Sequence, residues 1–257
     1  YGVDIDPGAV EIAKLRLWLS LVVDEQDIKQ IKPLPNLDYK IMQGNSLLEE
    51  YEGVKLFPDE LEMEQTNFME IVSESERMKK EVKELRDKFF RTAQKSEKDK
   101  LKEEIEILTW SLIEASVKEQ GKLSLLPEIE HFKKANIKPF FLWKLNFSEV
   151  FEKNGGFDVA IANPPYVRQE KIRDQKVALQ NYEVYNSTSD LYTYFYELSY
   201  NVLKNRGALT FISSNKWMRA RYGEKLRIYF RKKMKILQLI DFNGYKVFEA
   251  TVDTNII

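Results

Sequence analysis

The amino-acid sequence predicts an α/β fold in which polar residues follow apolar strands. Residues 1–6 form a short apolar run that ends in carboxylates, and residues 9–19 place apolar side chains at helical spacing. Residues 157–162 form a second apolar run, and the sequence Asn-Pro-Pro-Tyr follows it directly at residues 163–166. Because open α/β sheets carry their chemistry at the carboxyl ends of strands, these segments predict a functional edge. Further strands are expected to start near Tyr39, Gly207, Lys235 and Thr251.

A helical insertion is predicted between the two sheet segments, at residues 59–135. Small or apolar residues recur there at alternating intervals of three and four, which is heptad spacing, on both sides of a polar break at residues 91–100. The first set is Phe68, Ile71, Ser75, Met78, Val82, Leu85 and Phe89, and the second is Leu101, Ile105, Leu108, Leu112 and Ala115. We expect an antiparallel coiled-coil hairpin with arms about 30 Å long, exposed to solvent because its charges are mixed in sign. The predicted segments are therefore residues 1–58, 59–135 and 136–257.

The first strand ends in two aspartates with different expected roles. Asp4 lies at the strand tip, where an ionised carboxylate matches the paired hydroxyls of a nucleoside ribose. The plainer alternative for Asp4 is capping at the protein surface. Asp6 precedes Pro7, which suits the first turn of a helix because no partner is needed for its nitrogen there. Asp6 is therefore expected near the N-cap.

The loop at residues 163–166 is suited to holding an amino group. Pro164 and Pro165 fix φ and remove two backbone donors, so the Pro164 carbonyl can face a cavity without a competing N–H beside it. The side-chain oxygen of Asn163 adds a second acceptor, and two acceptors can take both protons of an NH₂ group. Tyr166 supplies a flat face for a ring. The alternative is an ordinary tight turn closed by a half-buried tyrosine.

These segments resemble the amino-methyltransferase signature of S-adenosylmethionine-dependent enzymes that methylate the exocyclic amine of adenine in DNA. The likeness covers residues 1–58 and about 140–257, and is closest to the large adenine-specific methyltransferases of type IIG restriction-modification systems and related phage-defence enzymes. It implies a Rossmann-like methyltransferase core, mainly parallel with one antiparallel strand, that acts on double-stranded DNA by base flipping. The sequence contains no Gly-x-Gly loop and no counterpart of the family's target-recognition domain. We therefore expect an internal piece that binds the cofactor weakly and turns over little by itself.

The resemblance assigns the cofactor S-adenosylmethionine to the tips of the first two strands. It implies that Asp4, with the adjacent Ile5, binds the ribose, and that Asn45 and Ser46 bind the adenine. Asn45 would accept from the adenine amino group through its side-chain oxygen, while backbone groups at Ser46 address the ring edge. A turn-forming Gly-Asn is the alternative. Asn163 is implied to contact the cofactor as well as the target amine.

Base and DNA contacts are implied at two further places. Phe248 would lie against the flipped base opposite Tyr166, with a core phenylalanine as the alternative. Residues 216–222 combine cations with aromatic rings, which fits a surface that holds phosphates and stacks bases, although a solvated helix start has the same composition. The contacting residues are predicted to be Lys216, Trp217, Arg219 and Arg221.

The implied reaction is direct methyl transfer to the amine, carried by Asn163, Pro164, Pro165 and Tyr166 without a metal. Protein glutamine and RNA adenine methyltransferases are alternatives, because a glutamine amide or an RNA adenine presents the same kind of NH₂ group. A further alternative is a non-enzymatic assembly module that acts through the coiled-coil hairpin. Whether the chain is an enzyme or an assembly module, the hairpin is a candidate contact for a protein partner or for another domain of the same chain.

Composition limits the class of protein. With 257 residues and 43% hydrophobic content, the chain can bury one substantial core and an appendage. It has no apolar stretch of about 18 residues, no signal-peptide pattern and no cysteine, so we expect a cytoplasmic location, no membrane association, no disulfide and no thiolate metal site. Since the formal charge is −1, DNA affinity has to come from a local patch, predicted at residues 216–235. His131 has no metal-ligand spacing around it.

Overall fold

A computed structural model of the chain describes residues 1–23, 37–56, 73–245, 247–248 and 253–257. The described residues form two compact units, Tyr1–Glu149 and Val150–Ile257. Each contains both strands and helices, so the fold is of the mixed α/β kind that the sequence predicts. The three-part division of the sequence at residues 58 and 135 stays a prediction. The predicted heptad positions Phe68 and Ile71 lie outside the described residues. In the part of the chain that the structure describes, no helix has the length and apolar character needed to cross a bilayer.

The first unit contains a short parallel strand pair. Its first elements are β1 (Gly2–Asp4), α1 (Pro7–Val23), β2 (Ile41–Gln43), β3 (Glu50–Tyr51) and β4 (Val54–Lys55). β2 lies parallel to β1 with Asp4 opposite Gln43, while β3 and β4 form an antiparallel hairpin. Asp6 caps α1 as expected, since its Oδ1 accepts from the backbone N–H of Ala9 at 2.8 Å.

The rest of the first unit is helical. Its elements are α2 (Glu74–Arg91), α3 (Lys95–Glu119), a 3-10 turn (Leu123–Leu125), α4 (Leu126–Ala135), α5 (Trp143–Asn146) and α6 (Ser148–Asn154), which contains the boundary between the units. The backbone N–H of Ser75 donates to Glu119 Oε1 at 3.0 Å, and Lys98 Nζ lies 5.2 Å from the centre of the Phe89 ring. Because the start of α2 contacts the end of α3 and its end contacts the start of α3, the two helices run antiparallel.

The buried face of α2 differs from the predicted one. The expected positions include Met78 and Leu85, which are only half-buried. The buried residues are Ser75, Lys79, Val82, Arg86 and Phe89. Two of them are cations, whose long alkyl stems cover apolar surface as a hydrophobic residue would. The heptad spacing is present, but two of the five predicted positions in α2, Met78 and Leu85, are replaced in the buried face by the next residue along the helix.

Arg86 ties α2 to the remainder of the first unit. Its Nη1 donates to the carbonyl of Leu145 at 3.0 Å, and its Nη2 donates to Asn146 Oδ1 at 2.6 Å. The guanidinium lies 5.0 Å from the centre of the Tyr39 ring, which also packs edge-on against Phe89 at 4.7 Å. Burial lowers the pKa of Arg86 to about 10. The expectation of an exposed, solvated arm is therefore wrong for this face of α2, which packs against the rest of the first unit.

The second unit contains a four-stranded mixed sheet. Its elements are β5 (Phe157–Ala162), a 3-10 segment (Gln169–Gln175), α7 (Lys176–Leu179), α8 (Tyr192–Val202), β6 (Leu203–Ser214), 3-10 turns (Asn215–Met218 and Arg221–Gly223), α9 (Glu224–Lys233), β7 (Ile240–Asp241) and β8 (Thr254–Ile256). The order is β5-β6-β8-β7, with β5 and β6 parallel and β8 antiparallel to both of its neighbours. The strand expected from Lys235 is shorter in the structure, where only β7 has that conformation.

Aromatic rings fill the core of the second unit. The ring of Tyr196, from α8, lies 5.0 Å from Phe211 of β6 and 5.0 Å from Phe230 of α9. Tyr192 and Tyr194 are also buried. The aromatic residues of α8 therefore pack the helix onto the sheet and support the carboxyl edge of β6.

Candidate active site

The Asn-Pro-Pro-Tyr loop lies at the carboxyl edge of the sheet in the second unit. β5 ends at Ala162, which is opposite Phe211 of the parallel strand β6. β8 runs the other way, and Thr254 at its start is opposite Ser214 at the end of β6. The loop after β5, the turn after β6 and the start of β8 therefore share the edge at which open α/β sheets carry their ligands.

Within this loop, Tyr166 holds the side chain of Asn163. The Tyr166 hydroxyl donates to Asn163 Oδ1 at 2.9 Å, and the carbonyl oxygen of Ile212 lies 3.5 Å from the same hydroxyl. Tyr166 is half-buried, and burial raises the pKa of its hydroxyl, so it stays protonated and able to donate. Because an amide oxygen has two lone pairs, Asn163 Oδ1 can accept a second hydrogen bond. The Asn163 side chain is thus exposed, oriented and chemically able to receive an amino group.

Pro164, Pro165 and Phe248 complete the residues predicted at the target base. Pro164 is buried and Pro165 is exposed, and neither has an N–H that would compete with the Pro164 carbonyl. Phe248 is half-buried, and residues 246 and 249–252 around it lie outside the described part. Tyr166 contacts the ring of Tyr192, with 6.4 Å between ring centroids. The pairing of Phe248 with Tyr166 stays a prediction.

Trp217 is an internal anchor, although the sequence predicts a surface ring. Its side chain is 4% exposed and packs edge-on against Phe230 with ring centroids 5.1 Å apart. Its indole N–H donates to Asn255 Oδ1 at 3.2 Å. A ring this deeply buried has no face left for a base, so the expectation that Trp217 stacks on DNA is wrong. Composition could not reveal this, because a core tryptophan and a stacking tryptophan are the same residue in a sequence.

The cations near Trp217 do reach solvent. The exposed ones are Lys216, Arg219 and Arg221. Arg227 of α9 points inward instead, and its Nη1 donates to the carbonyls of Trp217 at 2.5 Å and Ala220 at 3.0 Å. Because Arg227 binds these two backbone carbonyls, the backbone that carries the exposed cations is held in place. This arrangement suits contacts with phosphates.

The predicted cofactor residues of the first unit lie at the carboxyl edge of its parallel strand pair. The Gly44 N–H donates to the Asp4 carbonyl at 2.9 Å, so the ladder continues past β2 and brings Asn45 near the tip of β1. Asp4 is exposed, and its Oδ1 accepts from the backbone N–H of Asp6 at 2.9 Å. Asn45 is half-buried, and its Oδ1 accepts from the N–H of Leu47 at 3.3 Å. Each side chain is held by a hydrogen bond within its own turn. For Asn45 this agrees with the alternative of a turn-forming Gly-Asn.

The residues that follow Asp4 and Asn45 in the sequence, Ile5 and Ser46, accept hydrogen bonds from other side chains of the first unit through their backbone carbonyls. The carbonyl of Ile5 accepts from Gln43 Nε2 at 3.1 Å, and the Ile5 side chain is exposed. The carbonyl of Ser46 accepts from the indole N–H of Trp143 at 2.9 Å. These bonds fix the backbone around the predicted cofactor edge.

Sequence reasoning missed a set of polar residues beneath the edge of the second unit. The Tyr192 hydroxyl lies 3.0 Å from that of Tyr222, accepts from the Trp217 backbone N–H at 3.2 Å, and so links α8 to the turn. Tyr222 in turn lies 3.4 Å from Asp190 Oδ2. Sequence reasoning also missed Asn255, whose side chain accepts from the indole N–H of Trp217, 38 positions away in the sequence. No local pattern marks such a pair.

The profile of the Eco57I restriction-modification methylases matches residues 1–248. The chain belongs to the Eco57I restriction-modification methylase family. This confirms the resemblance to restriction-modification methyltransferases that the strand tips and the Asn-Pro-Pro-Tyr loop indicate.

Individual relatives are similar to the chain over different lengths. A putative type II restriction enzyme and methyltransferase of Methanocaldococcus jannaschii is 30% identical over 306 residues, which cover 100% of this chain and 25% of that protein. The type II methyltransferase M.BstVI of Geobacillus stearothermophilus is 34% identical over 115 residues, covering 44% of this chain and 20% of that protein. M.XhoI of Xanthomonas vasicola, also a type II methyltransferase, is 35% identical over 102 residues, covering 38% and 18%. The chain therefore spans a quarter or less of the length of these relatives.

Proposed function

We propose that this chain is part of an enzyme that transfers a methyl group from S-adenosylmethionine to the exocyclic amine of adenine in double-stranded DNA. The fold we propose is a Rossmann-like methyltransferase core with an inserted helix pair. The observation that carries the proposal is the hydrogen bond from the Tyr166 hydroxyl to Asn163 Oδ1 in a loop at the carboxyl edge of β5. Membership of the Eco57I family supports the restriction-modification role.

The proposed chemistry at the loop is the gripping of an amine. Asn163 Oδ1 accepts one proton of the adenine NH₂ and the carbonyl of Pro164 accepts the other, which directs the nitrogen lone pair toward the methyl donor. Tyr166 has two tasks, because its hydroxyl orients Asn163 and its ring offers a face to the base. An adenine inside a duplex is out of reach, so the base has to be flipped, and Phe248 is the proposed second ring.

The proposed cofactor residues are Asp4, Ile5, Asn45, Ser46 and Asn163. The donor set of the first unit fits a nucleoside, since an exposed carboxylate at the tip of β1 suits two ribose hydroxyls and a carboxamide after β2 suits an adenine edge. When bound, S-adenosylmethionine supplies the electrophilic methyl group. Asp4 and Asn45 would hold its nucleoside, and their own turns keep both side chains in place.

DNA phosphates are proposed to contact the exposed cations of the turn after β6. Lys216, Arg219 and Arg221 are the candidates. The chain has a net charge of −1, so this local cluster and not the overall field would draw in the DNA.

The test is product analysis with the intact protein. We expect N6-methyladenine in DNA incubated with the enzyme and S-adenosylmethionine, detected by mass spectrometry of nucleosides. Asn163→Ala should lower the methylation rate by about 10²–10³, as expected for losing one preorganised polar partner of the reacting group. Asn201→Ala, at an exposed position of α8, is the matched control and should leave the rate unchanged. Near-full methylation by Asn163→Ala would refute the role of this residue, and methylation of glutamine or RNA but not DNA would refute the substrate.

A further inference from the structure

We propose that Asn255 is a positioning residue, whose buried carboxamide holds Trp217 and thereby fixes the turn that presents Lys216 and Arg219 to DNA phosphates. This inference rests on the proposed function, because it concerns the DNA-facing part of the same site.

Asn255 joins three elements of the second unit. It lies in β8 opposite Ser213 of β6 and is 0% exposed. Its Oδ1 accepts from the indole N–H of Trp217 at 3.2 Å and from the Ser213 hydroxyl at 3.3 Å. The indole nitrogen is a donor only, so it requires the oxygen and not the NH₂ group of Asn255 to face it. The orientation of the carboxamide is therefore fixed by chemistry.

The buried amide has a cost that packing alone does not explain. Asn255 Nδ2 is buried and is satisfied at most by a weak hydrogen bond to the Tyr196 hydroxyl. An unsatisfied buried donor is unfavourable, and an apolar residue of the same size would avoid it. The acceptor function toward Trp217 and Ser213 is the benefit that an apolar residue would lack.

Trp217 transmits this constraint to the turn Asn215–Met218. Its backbone N–H donates to the Tyr192 hydroxyl at 3.2 Å, and its carbonyl accepts from Arg227. Its indole is fixed by Asn255 and packs against Phe230. With N–H, carbonyl and side chain all bound to different elements, Trp217 has little freedom to rotate or shift.

The exposed cations flank this fixed residue. Lys216 immediately precedes Trp217 and Arg219 follows two residues later, and both are exposed. A cation on a fixed backbone loses less conformational entropy when it contacts a phosphate than one on a mobile loop. Release of the indole is therefore expected to weaken DNA binding although no DNA-contacting side chain is changed.

The experiment compares three variants of the intact protein. Asn255→Leu removes the acceptor and keeps the approximate size. Trp217→Phe removes the indole N–H and keeps a ring against Phe230. Thr254→Val is the matched control, because Thr254 is also 0% exposed in β8 and its Oγ1 has no partner among the described residues. The measurements are the dissociation constants for a duplex DNA and for S-adenosylmethionine, and the NMR signal of the Trp217 indole N–H.

We expect Asn255→Leu to raise the dissociation constant for DNA by about tenfold, equivalent to about 1.4 kcal/mol, and that for S-adenosylmethionine by less than about twofold. The indole signal should shift and exchange faster with solvent. Trp217→Phe should weaken DNA binding to a similar degree, and the double variant should be no weaker than either single one, because both changes remove the same bond. Thr254→Val should match the wild type in both dissociation constants.

Two outcomes separate this inference from the proposed function. A wild-type protein that binds no DNA would refute the function on which the inference depends. Wild-type binding that Asn255→Leu and Trp217→Phe leave intact, or weaken additively, would overturn the positioning role alone. If Asn255→Leu does not fold, Trp217→Phe with its indole-free ring decides the question by the same DNA measurement.

Discussion

Replacement of Gly223 by alanine should disrupt the turns that carry the exposed cations. A Cβ at Gly223 would lie 2.0 Å from the carbonyl oxygen of Trp217 and 2.7 Å from its Cα, and both are backbone atoms. The φ of Gly223 is −75°, an ordinary value for any residue. Glycine is therefore required by the close approach of two backbone segments, and not by backbone conformation.

The size of the effect follows from the distances around Trp217. Contacts of a Cβ below 3.0 Å are essentially never found, so alanine has to separate the two segments by at least about 1 Å. A shift of that size breaks the indole bond to Asn255, now 3.2 Å, and the bond from Arg227 to the Trp217 carbonyl. A neutral hydrogen bond contributes about 0.5–1.5 kcal/mol and a charged one about 1.5–3 kcal/mol. We expect Gly223→Ala to lower the free energy of unfolding of the second unit by about 2–4.5 kcal/mol.

Chemical denaturation measures this loss directly. Trp217 is the sole tryptophan between residues 150 and 257, so its fluorescence reports on this unit once the other three are replaced by phenylalanine. Gly2→Ala in the same background is the control, because its Cβ would meet only side-chain atoms, those of Ile41, at 3.3 Å and beyond. A free energy of unfolding for Gly223→Ala within about 0.5 kcal/mol of the parent would refute the steric argument.

Three further predictions concern other parts of the second unit. Burial raises the pKa of Tyr196 to about 12, so the folded state keeps the hydroxyl proton to a higher pH than the unfolded state does. The free energy of unfolding should therefore fall as pH rises from about 10 to 12. Tyr196→Phe should reduce this fall in denaturation curves, and an unchanged pH dependence would contradict the prediction. Tyr166→Phe keeps the ring and removes the bond to Asn163; methylation rates should drop by about tenfold or less, a smaller loss than for Asn163→Ala, and an equal loss would mean that the hydroxyl has another role. The buried Glu197 carboxylate accepts hydrogen bonds from two backbone N–H groups, and Glu197→Gln would place an NH₂ group against one of them. The free energy of unfolding should fall by about 1–3 kcal/mol. Unchanged stability would show that the loop before α8 can adapt.

The strand tips and their polar loops were predictable because they depend on local sequence. An apolar run followed by Asn-Pro-Pro-Tyr specifies both a strand end and a loop with few conformations. Asp6 caps α1 for the same local reason. The spacing within α2 also predicted a helix with one buried face.

Long-range partners decided the features that the sequence did not reveal. Lys79 and Arg86 are polar by type, yet they lie in the buried face of α2, and Arg86 does so because α5 offers it a carbonyl and a carboxamide. Trp217 is buried because Phe230 and Asn255, each from another element, surround it. Heptad spacing and local composition contain no information about such partners, so Lys79 and Arg86 were expected in a solvated arm and Trp217 was expected at the surface.

Nucleoside analysis of methylated DNA tests the central claim most directly, namely that the loop at residues 163–166 grips the amine of a flipped adenine. The intact protein, supplied with duplex DNA and S-adenosylmethionine carrying an isotopically labelled methyl group, should place the label on adenine N6, and Asn163→Ala should remove nearly all of it. Label on another base, or undiminished adenine labelling by Asn163→Ala, would contradict the account.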